Sequence, residues 1–117
     1  TNELIRKSGY QGVITFRPPY GKKLFTLPWY LSQNNIHTIM WDVEPDTFIP
    51  NLLDENEKTD FLVKYTTDDT QNGSIILLHP FCQTCTADRQ AISPIIDSLR
   101  SKGFNFVTVT ELLKFKN

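Results

Sequence analysis

The chain has few histidines and cysteines, no excess of basic charge and no long apolar run. Its 117 residues include two histidines and two cysteines, and its formal net charge is -1 at pH 7. Proteins that bind phosphate backbones usually carry a basic face, so this charge balance argues against a nucleic-acid partner. A membrane span needs ~20 consecutive apolar residues, and no stretch of this sequence approaches that length. We therefore expect no nucleic-acid partner and no membrane span.

The two cysteines, Cys82 and Cys85, are spaced Cys-x-x-Cys. This spacing occurs in redox motifs and in zinc ribbons. A zinc ribbon needs a second pair, which the sequence lacks, and a thioredoxin-like pair would open a helix, whereas Thr84 and Thr86 surround this pair in a predicted loop. The favoured interpretation is a loop disulfide or two plain thiols, and a redox or metal role is the alternative.

The chain is the size of one domain or part of one. Its hydrophobic fraction of 39% and charged fraction of 21% are ordinary for a globular protein. It begins at Thr1 rather than at a methionine, and no signal peptide is visible there. We expect that the natural start lies upstream or that a segment has been removed.

Helical and strand-like patterns alternate along the chain. Apolar runs predict strands over 13–16, 37–43, 74–79 and 104–109, and helical spacing predicts helices over 2–8, 22–34, 56–70, 87–102 and 111–116. Thr110 is the predicted cap of the last helix, and the predicted inward residues of the helix over 87–102 are Ile92, Ile95, Ile96 and Leu99. Such alternation implies parallel strands joined by right-handed crossovers. The predicted fold class is therefore α/β, with about four parallel strands alternating with helices.

Three of the predicted strands end at residues that can carry chemistry. His79 follows four apolar residues and precedes Pro80, which ends the strand because it cannot donate to a ladder. Arg17 directly follows the strand over 13–16, and Asp42 lies near the end of the strand over 37–43. Active sites of α/β folds lie at the carboxyl ends of strands, so an arginine, an acidic cluster and a histidine are expected on one rim.

Five short motifs occur in a fixed order. They are Arg-Pro-Pro-Tyr-Gly at 17–21, Trp-Asp-Val-Glu-Pro-Asp at 41–46, Ile-Leu-Leu-His at 76–79, Lys-Gly-Phe at 102–104 and Val-Thr-Val-Thr-Glu-Leu-Leu at 107–113. Together they resemble the C-terminal half of a polysaccharide deacetylase domain of the NodB-homology type, carbohydrate esterase family 4. The resemblance covers essentially residues 1–117.

The resemblance implies half of a distorted (β/α) barrel and a metal-dependent hydrolase that removes acetyl groups from an N-acetylated glycan. The family's first two motifs, which supply the catalytic base and the metal ligands, do not occur in the chain. A divalent metal, usually zinc, is expected in the complete domain, and this chain is expected to hold none with its own residues. An upstream segment, a second chain or a swapped dimer is expected to supply the N-terminal half, and the chain alone is expected to be inactive. A cell-envelope, periplasmic or extracellular location is implied.

The resemblance also implies roles for single residues. His79 corresponds to the acid that protonates the leaving amine, and Arg17 to the arginine that orients the catalytic aspartate. Tyr20 corresponds to the residue whose backbone N–H donates to the developing oxyanion. Asp46, with Glu44 or Asp42 as substitutes, is expected to orient Arg17 or to tune the acid. Phe48 and Leu77 line the acetyl pocket or belong to the core.

Two other functions remain open. The first is a non-catalytic carbohydrate-binding remnant that stacks aromatic rings on sugars. The second is an assembly segment whose sheet edge pairs with another chain. The aromatic residues concerned in the first are Tyr20, Trp29, Tyr30, Phe48 and Phe81.

Overall fold

The structure, a computed structural model, describes residues 1–22 and 25–116. It forms two compact units, one of Thr1–Met40 with Thr108–Asn117 and one of Trp41–Val107. Helices α1 to α5 span Asn2–Lys7, Thr26–Gln33, Glu55–Asp69, Thr86–Ser101 and Val109–Leu112. Short 3₁₀ turns cover Pro19–Gly21, Pro45–Phe48 and Leu113–Lys116. None of the described helices is long and apolar enough to cross a bilayer.

The first unit contains α1, α2 and α5. Helix α1 ends before Gly9, whose φ of 92° is a left-handed conformation that favours glycine. Helix α2 begins at Thr26, later than predicted, so Pro28 falls in its first turn, where a missing N–H costs little. The predicted start of this helix includes Lys23 and Leu24, which lie outside the described residues.

The last helix begins two residues earlier than the sequence predicted. Thr108, not Thr110, is its N-cap, and Val109, predicted to lie in a strand, is its first residue. Thr108 Oγ1 accepts from the Glu111 N–H, and the Glu111 carboxylate accepts from the Thr108 N–H at 2.8 Å. This capping box satisfies two donors that the helix start leaves unpaired.

The second unit is built on the packing of α3 against α4. Helix α3 begins with a capping box in which Asp54 Oδ1 accepts from the N–H groups of Asn56 and Glu57. Helix α4 presents an apolar stripe at a spacing of four residues, which is the same face of a helix. The core consists of Leu62 of α3 with Ala87, Ala91, Ile95 and Leu99 of α4.

The predicted strands pair only at isolated points. Phe16 bridges Thr38 in the first unit and Val43 bridges Ile76 in the second, and both bridges are parallel. No longer ladder forms among the residues that the structure describes, and residues 104–108 adopt no regular secondary structure. The alternation of helices with apolar segments is therefore observed, whereas about four extended parallel strands remain a prediction.

Thr66 of α3 is an unusual component of this interior. Its side chain is fully buried, and its Oγ1 has no hydrogen-bond partner among the described residues. A buried hydroxyl without a partner costs about 1–3 kcal/mol. We expect Thr66→Val, which keeps the shape, to raise the free energy of unfolding by about 1 kcal/mol, as measured by urea denaturation.

The neighbouring Thr67 supplies the matched control. Its Oγ1 donates to the Val63 carbonyl at 2.6 Å, so Thr67→Val removes a hydrogen bond and should lower the stability. A Thr66→Val protein less stable than the wild type would contradict the assignment of Thr66 as an unsatisfied buried group.

Candidate active site

His79 and Asp46, predicted separately from two motifs, form a close pair in the second unit. His79 Nδ1 and Asp46 Oδ2 are 2.6 Å apart, and with Asp46 ionised the imidazole N–H donates to the carboxylate. The His79 side chain is 55% exposed, whereas that of Asp46 is 19% exposed. The pair therefore presents a solvent-accessible imidazole that is backed by a largely buried carboxylate.

The local chain positions both partners. Asp46 lies in the first turn of the 3₁₀ helix Pro45–Phe48, and Pro45 is buried. His79 follows the bridge in which the Leu77 N–H donates to the Val43 carbonyl at 2.9 Å. The two segments that carry the pair are thus joined by backbone hydrogen bonding a few residues before each side chain.

The other two acidic candidates have structural partners instead. Asp42 accepts from Ser74 Oγ at 2.7 Å and from the Ile75 N–H at 2.6 Å, which ties the start of the His79 segment to the preceding one. Glu44 Oε2 accepts from Trp41 Nε1 at 2.9 Å. Of the three acidic residues proposed for this motif, Asp46 is the one that contacts the histidine.

The remaining predicted site residues are placed as follows. Phe48, at the end of the same 3₁₀ turn as Asp46, is 57% exposed and stacks on Tyr65 with ring centroids 5.2 Å apart. Leu77 is partly buried, two residues before His79. Arg17 and Tyr20 belong to the first unit, where Tyr20 has a left-handed φ of 55° and an exposed ring. The roles predicted for these four residues stay predictions.

A second carboxylate, Asp88, reaches the site without having been predicted from the sequence. It lies in the first turn of α4, and its Oδ1 accepts from the His79 backbone N–H at 3.2 Å. Aspartate is common in the first turn of helices because it interacts favourably with the helix dipole. The sequence therefore contained no signal that distinguished Asp88 from an ordinary helix-start residue.

The loop between His79 and α4 is also fixed by side chains that the motifs did not indicate. Arg89 donates to the carbonyls of Pro80 at 3.0 Å and Cys82 at 2.8 Å, and to Thr86 Oγ1 at 3.1 Å. Cys82 and Cys85 form a disulfide within the same loop. The disulfide agrees with the favoured interpretation of the Cys-x-x-Cys spacing.

The electrostatics of Asp46 reflect its position between His79 and Asp88. Burial raises the pKa of Asp46 above the ordinary value of 3.8, and the negative charge of Asp88 acts in the same direction. The hydrogen bond from His79 lowers the pKa of Asp46 but does not outweigh these effects. The protein therefore keeps Asp46 protonated to a higher pH than a free aspartate.

Asp46 should consequently make the folded state less stable as the pH rises. A carboxyl whose pKa is higher in the folded state contributes stability that is complete below the unfolded pKa and is lost as the pH rises through the folded pKa. We expect the free energy of unfolding of the wild type, relative to Asp46→Asn, to fall as the pH rises from below 3.8. Urea unfolding of both proteins over a pH series measures this difference. A difference that stays constant or grows with pH would contradict the raised pKa.

The chain was compared with known proteins in sequence and in structure. No family model matches it. It is 27% identical over 104 residues to a peptidoglycan-N-acetylglucosamine deacetylase of Bacillus cereus, a match that covers 89% of this chain and 47% of the relative.

Two solved structures are similar along most of the chain. The peptidoglycan deacetylase PdaC from Bacillus subtilis matches with a TM-score of 0.68 and 28% identity over 98% of this chain and 50% of its own. A family 4 carbohydrate esterase from Streptomyces lividans, in complex with acetate, matches with a TM-score of 0.67 and 26% identity over 92% of this chain and 50% of its own.

The chain thus spans about half the length of each of these relatives. The similarity was found by sequence and by structure alike, and it agrees with the motifs at 17–21, 41–46 and 76–79. Nearly all of this chain is therefore similar to about half of a family 4 carbohydrate esterase, which confirms the resemblance inferred from its motifs.

Proposed function

We propose that this chain is the acid-bearing part of a hydrolase that removes acetyl groups from an N-acetylated polysaccharide. The observation that carries the proposal is the hydrogen bond of 2.6 Å between His79 and Asp46, in a chain similar to proteins named as peptidoglycan deacetylases. Because the chain spans about half of these relatives, the proposal concerns the complete protein. Its other half comes from an upstream segment or from a second chain.

His79 is the proposed donor of the proton that the reaction requires. Hydrolysis of the acetamide forms a C–O bond between water and the acetyl carbon and breaks the C–N bond, so the leaving nitrogen must gain a proton. Since His79 Nδ1 is bonded to Asp46, Nε2 is the nitrogen that would face the leaving group. Ionised Asp46 accepts the hydrogen bond from Nδ1 and so holds the imidazole in one orientation. The products are acetate and a free amine.

The four other predicted residues keep supporting roles in this proposal. Arg17 orients the carboxylate base that the other half supplies, through a charge-assisted hydrogen bond. The Tyr20 backbone N–H donates to the developing oxyanion. Phe48 and Leu77 contact the acetyl methyl group.

The divalent metal that the resemblance implies finds no ligand set among the residues that the structure describes. Within residues 1–22 and 25–116, no group of three or more His, Cys, Asp or Glu side chains could hold a metal ion. No step is therefore assigned to a metal here. We propose that the metal, zinc by resemblance, is bound by residues of the complete protein that lie outside this chain.

We also propose that the substrate is a polymer of the cell envelope. Two of the similar proteins carry peptidoglycan in their names, and peptidoglycan is a polysaccharide with N-acetylated sugars. The complete protein would then act in the envelope or outside the cell.

Acetate release tests the proposal directly. The full-length protein is incubated with N-acetylglucosamine oligomers and with peptidoglycan, with added zinc and after treatment with a chelator. We expect acetate release that the chelator abolishes and zinc restores, and negligible release by the 117-residue chain alone. No release from either substrate in the presence of zinc would refute the proposed function.

A non-catalytic glycan-binding role is the second candidate, and the exposed ring of Phe48 favours it. The ring stacks on Tyr65 and is more than half exposed, so part of its surface is available to a sugar. Titration of chitin oligomers against the chain, with and without chelator, separates the two functions. Binding that is independent of metal, in a full-length protein that releases no acetate, would favour this second candidate.

An assembly role predicts a mass above that of the monomer in solution.

A further inference from the structure

Asp88 is a buried carboxylate that the proposed chemistry leaves unused. Its residue is 6% exposed, and burial of a charge is costly unless hydrogen bonds compensate for it. One such hydrogen bond comes from the backbone N–H of His79, nine residues earlier, which donates to Asp88 Oδ1 at 3.2 Å. Asp88 therefore fixes the main chain of the residue that carries the candidate acid.

Asp88 also acts on the carboxylate that holds the imidazole. Asp46 Oδ2 is bonded to His79, whereas Asp46 Oδ1 is buried and meets no donor among the described residues. The negative charge of Asp88 also acts on Asp46 and raises the pKa of that carboxyl.

Arg89 and the loop before α4 make this geometry rigid. The guanidinium of Arg89 binds two carbonyls of the loop that follows His79, and the disulfide between Cys82 and Cys85 closes that loop. The first turn of α4, which carries Asp88, is thereby held at a fixed position relative to His79. The hydrogen bond from the His79 N–H to Asp88 is thus supported by the Arg89 contacts and by the disulfide in the loop between these two residues.

We propose that Asp88 is a positioning residue for the His79–Asp46 pair. One of its oxygens anchors the His79 backbone, and its charge acts on Asp46, whose Oδ2 is bonded to Nδ1. The imidazole is then oriented at two points, through the His79 main chain and through its ring nitrogen Nδ1. The effect of Asp88 on the rate rests on the proposed function, whereas its effect on the geometry of the site does not.

A helix-start role alone would have different consequences. Aspartate in a first turn stabilises a helix through the dipole, and its loss would lower stability without changing the titration of Asp46 or the exposure of the His79 N–H. The experiment therefore needs readouts that report these two groups separately.

The test uses the full-length protein with Asp88→Asn and Asp88→Ala. Asp97→Asn, which changes an exposed carboxylate on the same helix, is the matched control. Three quantities are measured: the midpoint of the Asp46 carboxyl-carbon titration by NMR, hydrogen exchange of the His79 amide, and kcat and KM for acetate release from N-acetylglucosamine oligomers.

Each variant has its own expected pattern. Asp88→Asn retains an oxygen acceptor, so the His79 amide should exchange as in the wild type, while the Asp46 midpoint falls because the second carboxyl is gone. Asp88→Ala also removes the acceptor, so the His79 amide should exchange about tenfold faster. Its kcat should fall about 10–100-fold, as for other residues that orient an active-site group, with KM nearly unchanged. Asp97→Asn should alter neither the exchange nor the kinetics.

Two results would overturn the proposal that Asp88 is a positioning residue. An unchanged Asp46 midpoint in Asp88→Asn would overturn the proposal, and so would unchanged exchange of the His79 amide in a folded Asp88→Ala protein. If Asp88→Ala does not fold, the Asp46 titration in Asp88→Asn decides. If the wild type releases no acetate, the proposed function fails, and the NMR readouts still decide whether Asp88 positions the pair.

Discussion

Replacing His79 with alanine in the full-length protein should lower the rate of acetate release by about 10²–10⁴-fold, the usual contribution of a positioned acid or base. The reason is that the leaving nitrogen would have to take its proton from water. The metal content of the protein should stay normal, because His79 is assigned to proton transfer and not to metal binding. Initial rates of acetate release, with the metal content measured on the same preparations, test both statements.

His37 offers a matched control for this substitution. It is the other of the two histidines in the chain. The residue is exposed, and its backbone carbonyl accepts from the Phe16 N–H at 2.9 Å. His37→Ala should leave the rate close to that of the wild type. Equal loss in both variants would indicate a general effect on folding, and full activity in His79→Ala would refute the assigned role.

The motifs predicted the histidine of the candidate site but could not select its acidic partner. Asp42, Glu44 and Asp46 lie at alternate positions, and each is a candidate on sequence alone. The choice depends on contacts with distant residues: Ser74 and Ile75 engage Asp42. A tight turn that begins at buried Pro45 brings Asp46 to His79. Such contacts arise only when the chain is folded.

Local signals predicted the helices better than the strands. Helix ends depend on nearby residues, such as the glycines after α1 and α4, both with positive φ. Even the error at α5 has a local cause: Thr108 has a glutamate three residues later, whereas Thr110 has Leu113 there and cannot form a capping box. Strand pairing depends on partners far along the chain or outside it, so the apolar runs could not show how far each ladder extends.

The inward face of α4 illustrates the same limit within one helix. The apolar pattern predicted Ile92, Ile95, Ile96 and Leu99 as inward residues, and Ile95 and Leu99 are buried. Ile92 is exposed, and the stripe continues instead through two alanines, Ala87 and Ala91. Small residues give a weak hydrophobic signal, yet they allow α3 to approach closely, so the contact surface was only half predicted.

Leu62→Ala should cause the largest loss of stability, about 2–5 kcal/mol in the free energy of unfolding. Leu62 is 0% exposed and contributes the α3 side of the core that α4 completes with Ala91, Ile95 and Leu99. Two of its neighbours on α4 are alanines, which cannot expand into the space that a lost leucine side chain leaves. The cavity should therefore persist, which places the expected cost toward the upper part of the range.

Leu52→Ala is the matched control, because Leu52 is 97% exposed and the same truncation at a surface site should change stability by less than about 0.5 kcal/mol. Urea denaturation of the two variants beside the wild type measures both effects. Similar losses in the two variants would contradict the assignment of the α3–α4 contact as the core of the second unit.

Since α4 also carries Asp88, the same Leu62→Ala protein should show faster exchange of the His79 amide while it is still folded. A core defect would then be detected at the candidate active site through α4, which carries Asp88 as well as the core residues Ala91, Ile95 and Leu99.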